Sequence, residues 1–379
     1  MPKINEPTTK VGKALKGVKI PEKRKGTLWL GPMNSSPMGG ITQGYIVQFL
    51  SCRERFRLKV IEGLQSTERF RPSVDFGQLW HVCEEHHSKG TDWIEPLKEK
   101  GKEYCTQFPL QQDEINKWYN VCKTLFPIYV NYWAKDKEQK EKTPLLQEYA
   151  FNVPYELPSG RVVHLRGKFD AVDLIGKGKS AGIWLQENKT KGEVDEEKIR
   201  HQLKFDLQTM LYLIALKEGR KGYGEHGTLD IGGTANVLGV RYNVIRRPLA
   251  GGKGSIRPHT PTKANPNGES QAQFFERLKG VILEDQASYF LRIKSEVYPS
   301  DIDRFKKMCL NPLLEQICDW YEWVTTGNLY MEGSHTHYIS PFGLYNPLVE
   351  QGQTDMDNYL ETGSTVGLHT VDTLFPELQ

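Results

Sequence analysis

The hydrophobic pattern changes period more than once along the chain. Ile46, Phe49, Leu50, Val60, Ile61 and Leu64 keep helical spacing behind Thr42, a residue able to cap a helix. Helical patterns also fill residues 76–87 and 114–133, and a Lys-rich linker follows at 135–142. Strand signals then take over: "LLQEYAFNVPYEL", a Pro-Ser-Gly turn, "VVHLRGKFDAVDL", a Gly/Lys turn and "IWLQENKT". One long helix is predicted over residues 196–217, buried through Leu203, Leu207, Met210, Leu211 and Ile214, and a further strand, "NVLGVRYNVIRRP", comes after it. Past a Gly/Pro/Lys loop at 249–270, helices dominate again as far as Trp323, and residues 352–379 read as a turn-rich, extended stretch. The sequence shows no internal repeat. Hairpins crossed by a helix indicate an α/β core inside helical wrapping.

Three strand positions break the apolar pattern. Alternate strand residues face opposite sides, so Glu187 and Lys189 share a face with Ile183 and Leu185. The hairpin returns beside Asp170, which brings two carboxylates and an ammonium together at one end of a sheet. Asp173 is a rival to Asp170, but parity puts it on the opposite face and ranks it lower. Such a group suits Mg²⁺, which takes one or two carboxylates with water and substrate phosphate. A metal held there polarises a phosphodiester and acidifies a bound water. A neighbouring Lys positions that water or stabilises charge on the phosphorane oxygens. On spacing alone, three solvated hairpin residues are an equally good account, because 26% of the chain is charged and D-(x)n-E-x-K recurs by chance.

Two more features bear on that choice. Gln208 and Tyr212 lie four apart on the predicted helix and project from one face, where both can bond phosphate or a base. An amphipathic helix carrying a part-buried Tyr beside a surface Gln explains them as simply. In "FGQLWHVCEEHH", Gly77 stands four before His81, while His86 and His87 compete with His81 by spacing. A lone His on an apolar helix face is more often a core residue than a ligand.

In order, G-x-x-x-H (Gly77–His81), G-x-x-D (Gly167–Asp170), E-x-K (Glu187–Lys189) and Q-x-x-x-Y (Gln208–Tyr212) resemble the RecB-type branch of the PD-(D/E)XK nuclease superfamily, which includes phage exonucleases. The stretch "YIVQFLSCRERFRLKVIEGL" is similar to that branch's N-terminal helix, and the resemblance spans residues 40–247, with weaker hints to Asn346. It implies a restriction-endonuclease-like α/β fold, a mixed central sheet flanked by helices, with N- and C-terminal helical elaborations. It also implies that His81, Asp170, Glu187 and the backbone carbonyl of Asn188 hold Mg²⁺ or Mn²⁺. Lys189 would activate the water, with Asp170, Glu187 and Lys189 as the catalytic set. Gln208 and Tyr212 would contact the strand near the scissile phosphate. Some relatives carry an iron–sulfur cluster on one upstream and three downstream cysteines. Cys52 matches the upstream position, but only Cys309 and Cys318 follow, so no cluster is expected. His335 and His337 leave room for a substitute metal site.

Composition adds the rest. Net charge is only +3, yet residues 1–25 hold Lys3, Lys10, Lys13, Lys16, Lys19, Lys23, Arg24 and Lys25 against Glu6 and Glu22. Residues 1–40 therefore read as a basic, disordered arm. A single domain is expected over 41–345: a helical part to 142, a catalytic core at 143–248, a basic loop at 249–270 and a helical part at 271–345, with a tail at 346–379. Arg246, Arg247, Lys253 and Arg257 flank or line the basic loop, which reads equally as a solvated loop or as a lid on the phosphate backbone. The aromatic run "CDWYEWV" reads as helix core rather than as a base-stacking platform. Six scattered cysteines without C-x-x-C argue against a zinc ribbon, and no signal peptide or membrane-length apolar run is present. The expectation is a cytoplasmic protein of a bacterial or phage-infected cell. Its partners would be DNA ends or single strands and a single-strand annealing or recombination protein, with no membrane. Two functions stand open: a metal-dependent DNA exonuclease of recombination, repair or phage DNA processing, and a silent nuclease fold that binds DNA or a partner.

Overall fold

A computed structural model describes residues 27–51, 53–66, 69–203, 206–224, 226–251, 255–263, 266–325 and 368–378. The chain opens with β1 (Ile41–Thr42), α1 (Gln43–Ser51), α2 (Arg53–Phe56) and β2 (Leu64–Ser66). A helical stretch follows: α3 (Pro72–Ser88), α4 (Ile94–Gln107), α5 (Gln112–Trp133) and the short α6 (Lys137–Lys140). Next come β3 (Lys142–Glu156), β4 (Val162–Ile175), β5 (Gly182–Lys191), α7 (Glu196–Leu203), α8 (Leu207–Gly219) and β6 (Val237–Arg246). Among the described residues that follow are α9 (Gln271–Glu284), β7 (Phe290–Glu296), α10 (Pro299–Phe305), α11 (Asn311–Thr325) and β8 (Leu368–Thr370). The described residues fall into two compact units.

The smaller unit takes in residues 27–29, 47–66 and 368–374. Its β2 pairs antiparallel with β8, Leu64 opposite Thr370. Trp29 is fully buried and meets Phe56 edge-on at 5.5 Å, and Phe49 meets the same ring at 5.8 Å. The helix expected to run as far as Leu64 stops earlier. After a π-helical turn at Arg57–Ile61, Gly63 adopts φ +72°, which ends the helix, and Leu64 begins a strand.

The larger unit is built on a six-stranded mixed sheet ordered β1-β4-β5-β6-β7, with β3 also on β4. β3 follows β4 along its full length through a hairpin. The other edge of β4 is shared: β1 pairs in parallel with Leu165 and Arg166, and β5 pairs antiparallel with residues 171–175. Residues 167–170 of β4 therefore face no strand on that edge, and the sheet has a gap there. β5 and β6 are parallel, joined through α7 and α8, and β7 closes the sheet antiparallel to β6.

Helices cover both faces. On one, Tyr212 of α8 packs edge-on against Phe151 and Phe169, at 5.2 and 5.7 Å. Gly167 permits this approach, because a Cβ there would stand 2.7 Å from the Phe151 ring and 2.8 Å from Tyr212. On the other face, α3 and α5 enclose Trp80 between Phe126 and Tyr129, at 5.3 and 5.2 Å. Such aromatic pairs add about 0.5–1.5 kcal/mol each beyond their buried area.

Four expectations are corrected here. Residues 1–26 lie outside the described part of the arm, but 30–40 are fixed in place: Ser36, Pro37 and Gly39 offer carbonyls to the buried Arg166 guanidinium at 3.2, 2.7 and 3.2 Å. The single helix over 196–217 is two, and Asp206 caps the second by accepting from the Thr209 N–H at 3.1 Å. Within the stretch expected to be helical after 271, β7 is an edge strand whose Arg292 and Lys294 alternate with Leu291 and Ile293. In the tail expected at 346–379, β8 is paired. The run "CDWYEWV" lies on α11 with Cys318, Trp320 and Val324 buried, as core packing requires.

Candidate active site

Strand parity holds for β5. Ile183, Leu185, Glu187 and Lys189 share a face; Glu187 lies beside Tyr242 of β6, whose hydroxyl meets Thr209 of α8 at 2.6 Å. Gln186, Asn188 and Thr190 point the other way, toward α3. Asn188 is bonded there to Asn243, which in turn meets Glu84 of α3.

Parity slips at Asp170. Phe169 packs on Tyr212 of α8, yet Ala171, two residues on, pairs with Gln186 of the α3 face. Asp170 occupies the slip, at the gap in the sheet. The β4–β5 ladder ends at Ala171 and Gln186, and the Asn188 N–H donates to Asp170 Oδ2 at 2.7 Å instead. His81 reaches Asp170 from α3, with Nδ1 at 3.7 Å from Oδ1. The site is thus assembled from both sides of the sheet through its opening.

A further carboxylate belongs to it. Glu148 Oε1 stands 2.7 Å from His81 Nδ1, and Lys168 Nζ lies 2.7 Å from Oε2. His81, Glu148 and Asp170 bring one ligand atom each within 4.8 Å of one another. Glu148 holds φ +46°, a left-handed conformation that costs a non-glycine residue about 1–2 kcal/mol. Such strain in a ligand cluster points to a constraint of function. The sequence carried the signal: counted back from the Pro-Ser-Gly turn, Glu148 falls opposite Asp170, between the pairs Gln147–Ala171 and Tyr149–Phe169.

The charges influence one another strongly. Burial opposes a charge on His81, but Asp170 and Glu148 outweigh it and push its pKa up to about 9. Burial likewise opposes ionisation of Glu148, yet His81 and Lys168 hold it below its ordinary value. Burial raises Asp170 against the pull of His81 and Lys189. It pushes Glu187 up to about 7, although Lys189 lies beside it. Glu187 is fully enclosed: Oε2 accepts from Lys189 at 2.8 Å and from Gln208 at 3.0 Å, while the buried Oε1 has no hydrogen-bond partner among the described residues. Lys189 Nζ also donates to Gln208 Oε1 at 3.0 Å. His81, Glu148 and Asp170, one imidazole and two carboxylates, suit a hard divalent cation that demands oxygen ligands; Glu187 lies outside that group, with its buried Oε1 making no hydrogen bond among the described residues.

The remaining expected residues are placed as follows. Asp173 lies on the α3 face, fully buried, bonded to Arg241 at 3.0 Å and to Gln147 at 3.1 Å, away from the cluster. His86 bonds Thr91 and His87 packs on Phe126, so neither joins His81. Gln208 is engaged with Glu187 and Lys189, and Tyr212 is buried against the two Phe rings. Arg246 pairs with Lys191 in the β5–β6 register, two strand residues or about 7 Å past Lys189. Its guanidinium lies over Tyr289, and the Arg247 N–H bonds the Lys191 carbonyl. Arg257 is exposed. Lys253, Cys52, His335, His337 and Asn346 lie outside the described residues. Gly77 has only Thr190 Oγ1 near its missing Cβ, at 3.7 Å, so packing does not demand a glycine there.

A mixed sheet whose central hairpin opens onto carboxylates and a lysine, with helices on both faces, defines a restriction-endonuclease-like fold. The chain belongs to the PD-(D/E)XK nuclease superfamily, whose family model matches residues 41–311. No curated protein matches the chain. Membership implies a phosphodiester hydrolase that acts on DNA and uses a divalent metal. Among the described residues no helix is long and apolar enough to cross a membrane.

Proposed function

We propose that the protein is a Mg²⁺- or Mn²⁺-dependent deoxyribonuclease, an exonuclease of the RecB-like kind that works on DNA ends or single strands in recombination, repair or phage DNA processing. The observation that carries the metal-dependent reading is the group of His81, Glu148 and Asp170, whose ligand atoms lie within 4.8 Å of one another; the buried Oε1 of Glu187, which feels the Asp170 charge and makes no hydrogen bond among the described residues, adds to it. The order of the four motifs supports the RecB-like branch. Asp170, Glu187, His81 and Glu148 hold the cation, and the Asn188 carbonyl is a further candidate ligand. When bound, the ion polarises the scissile phosphodiester and lowers the pKa of an attacking water.

The chain's own groups do the remainder. Two of the three Lys189 protons go to Glu187 and Gln208, which leaves one to orient the water or to meet charge on the phosphorane oxygens. Gln208 acts first on Lys189 and Glu187, and reaches the DNA strand from that position. Lys191, Arg246, Arg247 and Arg257 are the candidates to meet the phosphate backbone beyond the site.

The test is incubation of the full chain with linear duplex, circular and single-stranded DNA, in Mg²⁺, Mn²⁺ or EDTA. Nucleotide release from linear but not circular DNA, abolished by EDTA, is expected. Lys189→Ala should lower the rate by about a hundredfold or more. Equal release by wild type and Lys189→Ala would defeat the catalytic assignment, and cutting of circles would defeat the exonuclease one.

A further inference from the structure

The site draws its groups from α3 on one side of the sheet and from β4, β5 and α8 on the other, so α3 must be held in register with β5. Directly behind the site, on the α3 face, a buried polar chain makes that connection. Asn243 of β6 is fully enclosed, and its Nδ2 faces three acceptors: Asn188 Oδ1 at 2.9 Å, Tyr129 Oη at 2.6 Å and Glu84 Oε1 at 3.2 Å. Gln186 adds a second donor to Asn188 Oδ1 at 3.3 Å. Glu84 is three residues beyond His81 on the same helix. Asn188 faces the site with its backbone, whose N–H grips Asp170, while its side chain is anchored behind.

Resting on the metal-dependent reading above, we propose that Asn243, with Tyr129 and Glu84, is a positioning group for the metal site. It ties α3, and so His81, to the strand that carries Glu187 and Asn188. Among the described residues its buried amide Oδ1 has no hydrogen-bond partner, and its donor end orients the side chain. Among the described residues no side-chain hydrogen bond or ion pair joins any of the three to His81, Glu148 or Asp170, so a change at any of them acts through a ligand and not as one. Partners one shell out from a metal typically set affinity or activity by 10–100-fold.

The experiment uses the full chain stripped with EDTA. Mn²⁺ binding is measured calorimetrically without DNA, and the Mn²⁺ half-saturation of DNA hydrolysis is measured separately. Asn243→Ala should weaken Mn²⁺ binding by about 10–100-fold and raise the half-saturation in step, with DNA affinity in EDTA unchanged. Tyr129→Phe, which removes one hydroxyl, should shift both in the same direction by less. Ile317→Ala in the core of α11 is the control: it should lower the melting temperature and leave Mn²⁺ affinity alone. Wild-type affinity in Asn243→Ala overturns the proposal, and so does an equal loss in Ile317→Ala at matched stability. If Asn243→Ala does not fold, Tyr129→Phe decides by the same criterion. Wild-type protein that binds no Mn²⁺ overturns the metal reading itself, and the positioning role with it.

Discussion

Glu187 and Asp173 are both fully enclosed carboxylates of one sheet, on opposite faces and adjacent strands. Asp173 is complete: Gln147 donates to one oxygen, Arg241 to the other, and Lys142 stands 3.7 Å away. Glu187 is not. One oxygen is held by Lys189 and Gln208, the other makes no hydrogen bond among the described residues, and burial lifts the pKa to about 7. The Asp173 carboxylate, with both oxygens bonded, is part of the scaffold, although Arg241 Nε and Nη1 are buried without a hydrogen bond among the described residues. A buried carboxylate left half-satisfied is a cost retained for a ligand.

Swapping charge for amide at these two positions should therefore give opposite results, and these are the largest effects expected. Asp173→Asn leaves Arg241 buried without a counter-ion and should cost about 3–5 kcal/mol in urea unfolding, with the rate per folded molecule unchanged. Glu187→Gln should leave stability the same or higher and cut hydrolysis by about 10²–10³. Loss of stability at residue 187 with activity retained would erase the distinction.

Protonation comes next. On the proposed reading Glu187 and His81 are ligands that must first lose a proton, and their pKa values are pushed up to about 7 and about 9. The protonated forms prevail at low pH, so Mn²⁺ affinity should climb as pH rises through both values. His81→Asn should remove the upper part of the climb and leave the part near 7. A pH-independent affinity would show that neither group is a ligand.

The smallest effects come from two motif glycines. Gly167→Ala forces a methyl group into Phe151 and Tyr212 and should destabilise by about 1–3 kcal/mol. Gly77→Ala adds a methyl at ordinary contact distance inside α3 and should stabilise by about 0.5–1 kcal/mol. A destabilised Gly77→Ala would mean that α3 sits closer to β5 than described.

These contrasts also mark what was legible in the sequence. Period and parity suffice wherever a strand is regular: they place Glu187 with Lys189 on one face of β5. They fail where the backbone departs from its period. Asp170 sits in a parity slip, and Glu148 turns into the site through a left-handed φ, so an exposed-looking Glu in "QEYAF" hid a candidate ligand. β7 escaped because seven residues ending in charged positions give little periodic signal beside the helices around them. The network behind Asn188 is beyond sequence reasoning altogether, since its four members come from α3, α5, β5 and β6 and meet only in the fold.

The account rests on a divalent cation held at the opening in the sheet. Electron paramagnetic resonance of Mn²⁺ added to EDTA-stripped protein measures this directly. A saturable bound fraction is expected on the wild type and should be lost in Glu187→Gln. Equal binding by both proteins would contradict the assignment.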